Sequence, residues 1–243
     1  MTELSNRVAL VTGASRGIGR AIALALGKAG AAVAVNYRER GAQAAHVVEA
    51  IHKVGGRALA VGADVTDGSA VRSMVYEVEE RLGPIDILVN NAGVGALHGL
   101  DITEEDFDRT IAVNLKSAFL CIQAVLPGMR ARRWGRIVNL SSIAARSVGG
   151  VSVAYNASKA GLEGLTRGYA ARLAAEGVTV NAVAPGLIDT DMAQPLIEAG
   201  FVSRIPVGRL GSGDEIAQVV LLLIGNAFMT GQTVAANGGG LFY

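Results

Sequence analysis

Short aliphatic runs alternate along this chain with longer stretches of helical periodicity, and that alternation limits its fold more than any other feature. The runs are Val8–Val11, Ala32–Val35, Ala58–Val61, Ile85–Val89, Arg136–Leu140, Val178–Val183 and Thr233–Ala236. Between them, apolar spacing and start–stop residues predict helices. The first spans Ile18–Lys28 and closes at Gly30; the next runs from about Ala42 to Val54 and ends at Gly55-Gly56. Asp67 starts a helix to Leu82 that stops at Gly83-Pro84, and Thr103 opens helical segments reaching about Arg133. Two more cover Tyr155–Glu176, ended by Gly177, and Asp214 to about Leu223. The runs are apolar at consecutive positions, as strands of a parallel sheet covered on both faces must be. The expectation is a three-layer, Rossmann-type α/β fold: a doubly wound sheet of about seven parallel strands with helices on both faces. No linker, repeat or low-complexity stretch interrupts the pattern, so residues 1–243 read as a single domain.

Composition narrows the partners. Glycine occurs 32 times without a three-residue period and proline only 5 times, which excludes collagen and Pro/Gly-rich disorder. Lys+Arg is 22 against 21 for Asp+Glu, so the chain carries no electrostatic footprint for nucleic acid or an anionic membrane. The stretch Ile216–Tyr243 has no charge, but Gly225, Asn226, Thr230, Gln232 and the glycines at 238–240 break it. It is therefore expected in the core or against another subunit, not across a bilayer. One cysteine, Cys121, fits a reducing compartment, and the start Met1-Thr2-Glu3-Leu4-Ser5 is not a basic-then-apolar leader. The expectation is a cytoplasmic chain. His46, His52 and His98 do not make a metal set, so no metal is expected.

In a doubly wound sheet ligands bind beyond the carboxyl ends of the strands. The first strand runs into Thr12-Gly13-Ala14-Ser15-Arg16-Gly17-Ile18-Gly19 and a helix. Glycines there allow a tight turn and close approach of a pyrophosphate, and the helix N-terminus favours the anion. The second strand leads into Asn36-Tyr37-Arg38. With no carboxylate at 36–38, and with Arg38 and Arg16 within reach, a ribose 2′-phosphate is favoured, hence NADP(H) over NAD(H). Asp64-Val65 follows the third strand, where a carboxylate suits an adenine amino group, and Asn90-Asn91-Ala92-Gly93 follows the fourth. After the fifth come Ser142 and then Tyr155 and Lys159, which lie at i and i+4 on one helical face. A tyrosine near pKa 10 is a usable acid, and a neighbouring ammonium is expected to lower that value. Ser142 is placed to hold a substrate oxygen while Tyr155 transfers the proton.

Thr12-Gly13-x3-Gly17-x-Gly19, Asn90-Asn91-Ala92-Gly93, Asn114, Ser142, Tyr155-x3-Lys159 and Pro185-Gly186 together resemble the short-chain dehydrogenase/reductase family over about residues 5–240. Within it the chain is most similar to the 3-oxoacyl-(acyl-carrier-protein) reductases and other NADPH-dependent ketoreductases. The resemblance implies Tyr155 as general acid/base, Ser142 as carbonyl-orienting residue, Lys159 on the nicotinamide ribose and Asn114 holding a relay water. It implies a cofactor site of Gly13, Ser15, Arg16, Gly17, Ile18, Gly19, Tyr37, Arg38, Asp64, Val65, Asn91, Ala92, Gly93, Tyr155, Lys159, Pro185, Gly186, Ile188 and Thr190, with Asn90 near the ribose. Residues from about Leu187 to Arg209 would form a substrate lid, and a homotetramer would form through the helices after the fourth and fifth strands and the C-terminal end.

Two departures bear on an acyl carrier protein as partner. Val94-Gly95-Ala96-Leu97-His98 replaces the usual continuation of the Asn-Asn-Ala-Gly turn, and for His98, after the fourth strand, contact with substrate is the lesser of two open alternatives, the other being no role in the site. Of two basic carrier-docking positions, Arg133 matches one, but Glu176 stands at the other. Arg130, Arg132, Arg133 and Arg136 remain a basic cluster, expected near a helix end where cations suit the dipole. A coenzyme A thioester or small ketone stays open beside the carrier-bound substrate. So do an NAD-dependent dehydrogenase of sugars, polyols or other secondary alcohols and, from another class, a non-catalytic nucleotide-binding sensor.

Overall fold

A computed structural model describes residues 3–96, 100–147 and 151–242. Seven strands are seen: β1 (Val8–Val11), β2 (Ala32–Tyr37), β3 (Ala58–Gly62), β4 (Ile85–Asn90), β5 (Gly135–Leu140), β6 (Val178–Pro185) and β7 (Thr233–Ala236). They form one sheet in the order β3-β2-β1-β4-β5-β6-β7, every neighbouring pair parallel. The chain winds outward from β1 to β3, then returns and winds the other way from β4. The switch point therefore lies between β1 and β4, where Val11 pairs with Val89.

Alternation of side chains puts each strand into two cores. Ala9, Val11, Ile87 and Val89 face α1 (Gly17–Lys28), α2 (Gly41–Lys53) and α8 (Gly213–Gly225), packing with Ile22, Leu26, Ile51 and Val220. Val8, Leu10, Ile85 and Leu88 face the other layer, built from α3 (Gly68–Leu82), α5 (Ser117–Ala131) and α6 (Val153–Leu173). Full burial of one such aliphatic side chain is worth roughly 1.5–3 kcal/mol, so both faces must be covered.

Most expected boundaries match. Asp67 caps α3 through the Ser69 and Ala70 amides, and Thr103 caps α4 (Glu104–Ile111) through Asp106. The segment after Thr103 is two helices joined by a π-helical turn, Ala112–Lys116, which carries Asn114. α6 starts two residues before the expected Tyr155, because the Ser152 hydroxyl accepts the Tyr155 amide at 3.2 Å. It stops at Leu173, with a 3-10 turn over Ala174–Glu176. β2 and β6 run longer than their apolar runs because pairing continues through Tyr37↔Gly62 and Pro185↔Ala236. The lid segment holds a short helix, α7 (Gln194–Glu198), and a 3-10 turn, Phe201–Arg204, neither apparent in the sequence.

Candidate active site

The crevice at the β1/β4 switch point is built first by backbone. Gly13 and Gly17 take φ of +61° and +54°, values that side chains resist, and turn the chain from β1 into α1. Gly19 is needed for a different reason: a Cβ there would lie 2.4 Å from Asn91 Nδ2 and 2.6 Å from the Gly13 carbonyl. α1 has no side-chain cap and no acidic residue in its first turn, so its first amides face the crevice without a local acceptor. A pyrophosphate suits that end of the helix dipole. Two residues, Thr12 of the glycine motif and Asn36, which motif reading gave no such role, secure the turn. Asn36 Oδ1 accepts the Gly13 amide at 3.2 Å while its Nδ2 reaches the Val61 and Ala63 carbonyls. Thr12 Oγ1 accepts the amides of Asn91 and Ala92, both at 3.0 Å, tying β1 to the end of β4. The signal for Asn36 was an amide at the end of an otherwise apolar strand.

The remaining expected cofactor residues line this crevice in part. Ser15 and Val65 are buried, and Ile18 is half-buried on the first turn of α1. The Tyr37 ring packs over Gly41 and Gly62. Arg38 at the end of β2 pairs with Glu39 and lies 4.0 Å from Asp64 Oδ2. Asp64 Oδ1 is taken by the Thr66 amide and hydroxyl, whose hydrogen bonds hold the carboxyl below its usual range. Arg16 pairs with Asp191, so the glycine turn touches the segment after β6. Thr190 sits there too, its methyl 3.4 Å from where a Gly17 Cβ would be. Ile188 is buried and bridges in parallel to Gly211. Gly186 serves the chain itself: a Cβ there would come within 2.8 Å of Asn237 Cα, beyond Pro185. Asn91 is spent on the Thr12 and Gly13 carbonyls, and Asn90 donates to Asn139 inside the sheet at 2.8 Å. Asn90 is thus engaged away from the expected ribose contact, and its buried Oδ1 meets no donor among the described residues.

On the other side of the crevice α6 presents Tyr155 and Lys159. Lys159 is buried and donates through Nζ to the Leu140 carbonyl at 2.7 Å. Burial lowers its pKa to about 8. Tyr155 bonds to Ser142, the first residue beyond Ser141 at the end of β5. The expected lowering of the tyrosine by the lysine is not found. Burial raises the phenol above its ordinary value and the Ser142 hydrogen bond only partly offsets it, while the Lys159 Nζ stands 5.6 Å from the ring centroid. Asn114 on the π turn uses its side chain for bonds to the Val94 amide, the Val94 carbonyl and Ser158 Oγ, at 2.8, 2.9 and 3.1 Å. Gly93 sits between it and Lys159, a Cβ there lying 3.4 Å from Asn114 Oδ1 and 3.7 Å from Lys159 Nζ. Ser142, Tyr155, Lys159 and Asn114 therefore converge beside the glycine turn. His98 lies outside the described residues, and among the described residues no three His, Cys, Asp or Glu side chains are grouped to hold a metal.

Three of the four clustered arginines stand where expected, Arg130 in the last turn of α5 and Arg132 and Arg133 just beyond it, all exposed. Arg136 lies in β5, not at a helix end; it is buried, stacks on Trp134 at 4.4 Å and donates to the Ile224, Gly135 and Gly177 carbonyls. Trp134 is sandwiched on its other side by Arg7 at 3.7 Å. Arg130 forms a two-pronged pair with Glu176, Arg132 donates to the Ile85 carbonyl and Arg133 to that of Ala175.

A model of the short chain dehydrogenase family matches residues 7–199. The chain belongs to the short chain dehydrogenase family. As a member, it is an oxidoreductase of alcohol and keto groups whose cofactor class is a nicotinamide dinucleotide, and the glycine turn fits that group. It is 44% identical over 240 residues to the 3-oxoacyl-(acyl-carrier-protein) reductase FabG of Staphylococcus epidermidis, covering 96% of this chain and 98% of that one. The FabG of Pseudomonas aeruginosa is 42% identical over 244 residues, covering 98% of each. A crystal structure of a short-chain type dehydrogenase/reductase from Mycobacterium marinum superposes with a TM-score of 0.94 at 36% identity, covering 98% of this chain and 97% of that one.

Proposed function

We propose that this chain is a cytoplasmic, homotetrameric, NADPH-dependent ketoreductase that reduces a 3-oxoacyl thioester, or a similar 3-keto compound, to the secondary alcohol. The observation that carries the reading is the convergence of Ser142, Tyr155 and Lys159 beside an uncapped helix N-terminus at the switch point. A reduced nicotinamide bound in the crevice supplies the hydride for the carbonyl carbon. The chain's own residues manage the oxygen. Ser142 donates to it and fixes its position, and Tyr155 hands over its phenolic proton as charge develops there. A raised tyrosine pKa keeps that proton in place at neutral pH. Lys159, with a pKa of about 8, is still largely an ammonium at pH 7 and holds the ribose side of the site. Gly13, Ser15, Gly17, Ile18 and Gly19 would cradle the pyrophosphate, Asp64 and Val65 the adenine, and Ala92 and Gly93 the adjacent ribose, with Asn91 bracing the turn. Pro185, Gly186, Ile188 and Thr190 would flank the nicotinamide.

Preference for the phosphorylated cofactor rests on Arg38 and Arg16. Both pair with exposed carboxylates, Glu39 and Asp191, and such surface pairs are worth about 0–1 kcal/mol. A 2′-phosphate, with more charge and three acceptor oxygens, displaces them at little cost. For the acyl group, coenzyme A or a small thioester is favoured over an acidic carrier protein, since Glu176 sets a carboxylate at one of the two docking positions and pairs with Arg130. The test is NADPH oxidation with acetoacetyl coenzyme A, with the acyl-carrier thioester and with simple ketones, and the same assay with NADH. Tyr155→Phe should cut turnover about a hundredfold or more while NADPH still binds. Undiminished turnover, or a strong preference for NADH, overturns the reading.

A further inference from the structure

A carboxylate two turns beyond the catalytic tyrosine is unaccounted for by the roles above. Glu163 lies on the same stripe of α6 as Tyr155 and Lys159, spaced i, i+4, i+8, and its side chain is only 4% exposed. An ionised carboxylate is buried only where its oxygens are paired and hydrogen-bonded. Here Oε2 accepts Arg146 Nε at 2.8 Å, with Arg167 at 4.0 Å, and Oε1 lies 3.3 Å from Ser141 Oγ. The Ser141 hydroxyl shares its proton between that oxygen and the Lys159 carbonyl, also at 3.3 Å.

These partners bracket the substrate-orienting residue. Ser141 immediately precedes Ser142, and Arg146 closes the 3-10 turn Ile143–Ala145 that follows it. Lys159 Nζ holds the Leu140 carbonyl just upstream, and Asn156 Nδ2 holds the Ser147 carbonyl at 2.8 Å just downstream. The segment 140–147 is therefore laced to α6 on both sides of Ser142, and Glu163 grips it at both Ser141 and Arg146. We infer that Glu163 is a positioning residue: it sets the distance between Ser142 and Tyr155 by clamping the Ser142 turn to the helix that carries the tyrosine. This rests on the reading of Ser142 and Tyr155 given above.

Glu163→Gln, Arg146→Met and Ser142→Ala are compared by single-turnover NADPH oxidation, NADPH affinity and thermal unfolding. A misplacement near 1 Å at a reacting group costs up to about a hundredfold, so Glu163→Gln and Arg146→Met should each slow turnover about ten- to a hundredfold. NADPH affinity should stay at the wild-type value, and the loss should appear in kcat and not in KM. In the Ser142→Ala background, Glu163→Gln should add no further loss, because its effect runs through that serine. Glu163→Asp, which keeps the charge but shortens the reach, should recover part of the rate. Wild-type turnover in Glu163→Gln overturns the role, as does an equal loss in both backgrounds or a loss that follows NADPH affinity. Undiminished turnover in Ser142→Ala overturns the reading of the site itself, and the clamp with it.

Discussion

Burial moves the proton affinities of the two central side chains apart from their usual values in opposite directions. Tyr155 is held protonated and Lys159 is pushed toward its neutral form, with a pKa of about 8 in place of 10.5. Enclosing an ammonium carries a stability cost, and linkage makes that cost measurable. Between the folded value and 10.5 the unfolded chain binds the extra proton, so this residue's contribution to stability rises with pH across that window and is at its least below pH 8. Lys159→Met removes the titration. From pH 7 to pH 10 the unfolding free energy of the wild type should therefore gain about 2 kcal/mol on that of Lys159→Met, as read from urea titrations. The variant should also lose turnover at every pH. A difference that stays flat with pH would show that Lys159 ionises as a solvated lysine does.

How an element is seated decides the cofactor crevice, and α1 is the element concerned. Its first turn comes so close to the end of β4 that Gly19 has no room for a methyl group against Asn91 and the Gly13 carbonyl. Gly19→Ala must push α1 away from the strand ends, at an overpacking cost of about 1–3 kcal/mol. The expected outcome is a lower unfolding temperature together with NADPH binding weakened at least about tenfold, which calorimetry checks. Unchanged affinity in a destabilised protein would separate the glycine from the cofactor. The strands and long helices were legible because both faces of a parallel strand must be apolar and an amphipathic helix must repeat near 3.6 residues. α7 was not, since five residues are too few to display a period. Of the site, Gly13, Ser142, Tyr155 and Lys159 could be read from spacing along the chain. Asn36 and Glu163 could not, because each earns its role from partners that only the folded sheet brings near. Arg136 was legible as the start of the fifth strand, but its burial against Trp134 was not, for the same reason.

The whole molecule leaves apolar surface that its own two cores do not use. The run from α4 through α5, Glu104–Ala131, is apolar enough by composition to cross a membrane, yet its inner residues Cys121, Ile122, Val125 and Met129 pack on the sheet. Its outer side shows Phe107 and Phe119 to solvent. A second exposed set, Leu222, Phe228 and Phe242, belongs to the uncharged C-terminal stretch, with Phe228 98% exposed. The proposed homotetramer, closed about perpendicular twofold axes, needs two separate interfaces where a dimer needs one, and these two exposed sets are assigned to them. Each patch should then fail independently when charge is placed in it, because an unpaired carboxylate resists desolvation. Sedimentation equilibrium of the wild type should return four chains per particle. Phe228→Glu and Phe119→Glu should each return two, and the double variant one, with far-ultraviolet dichroism unchanged. Wild-type monomers at micromolar concentration would refute the assembly, and a tetramer that survives Phe228→Glu would move the second interface away from the C-terminal stretch.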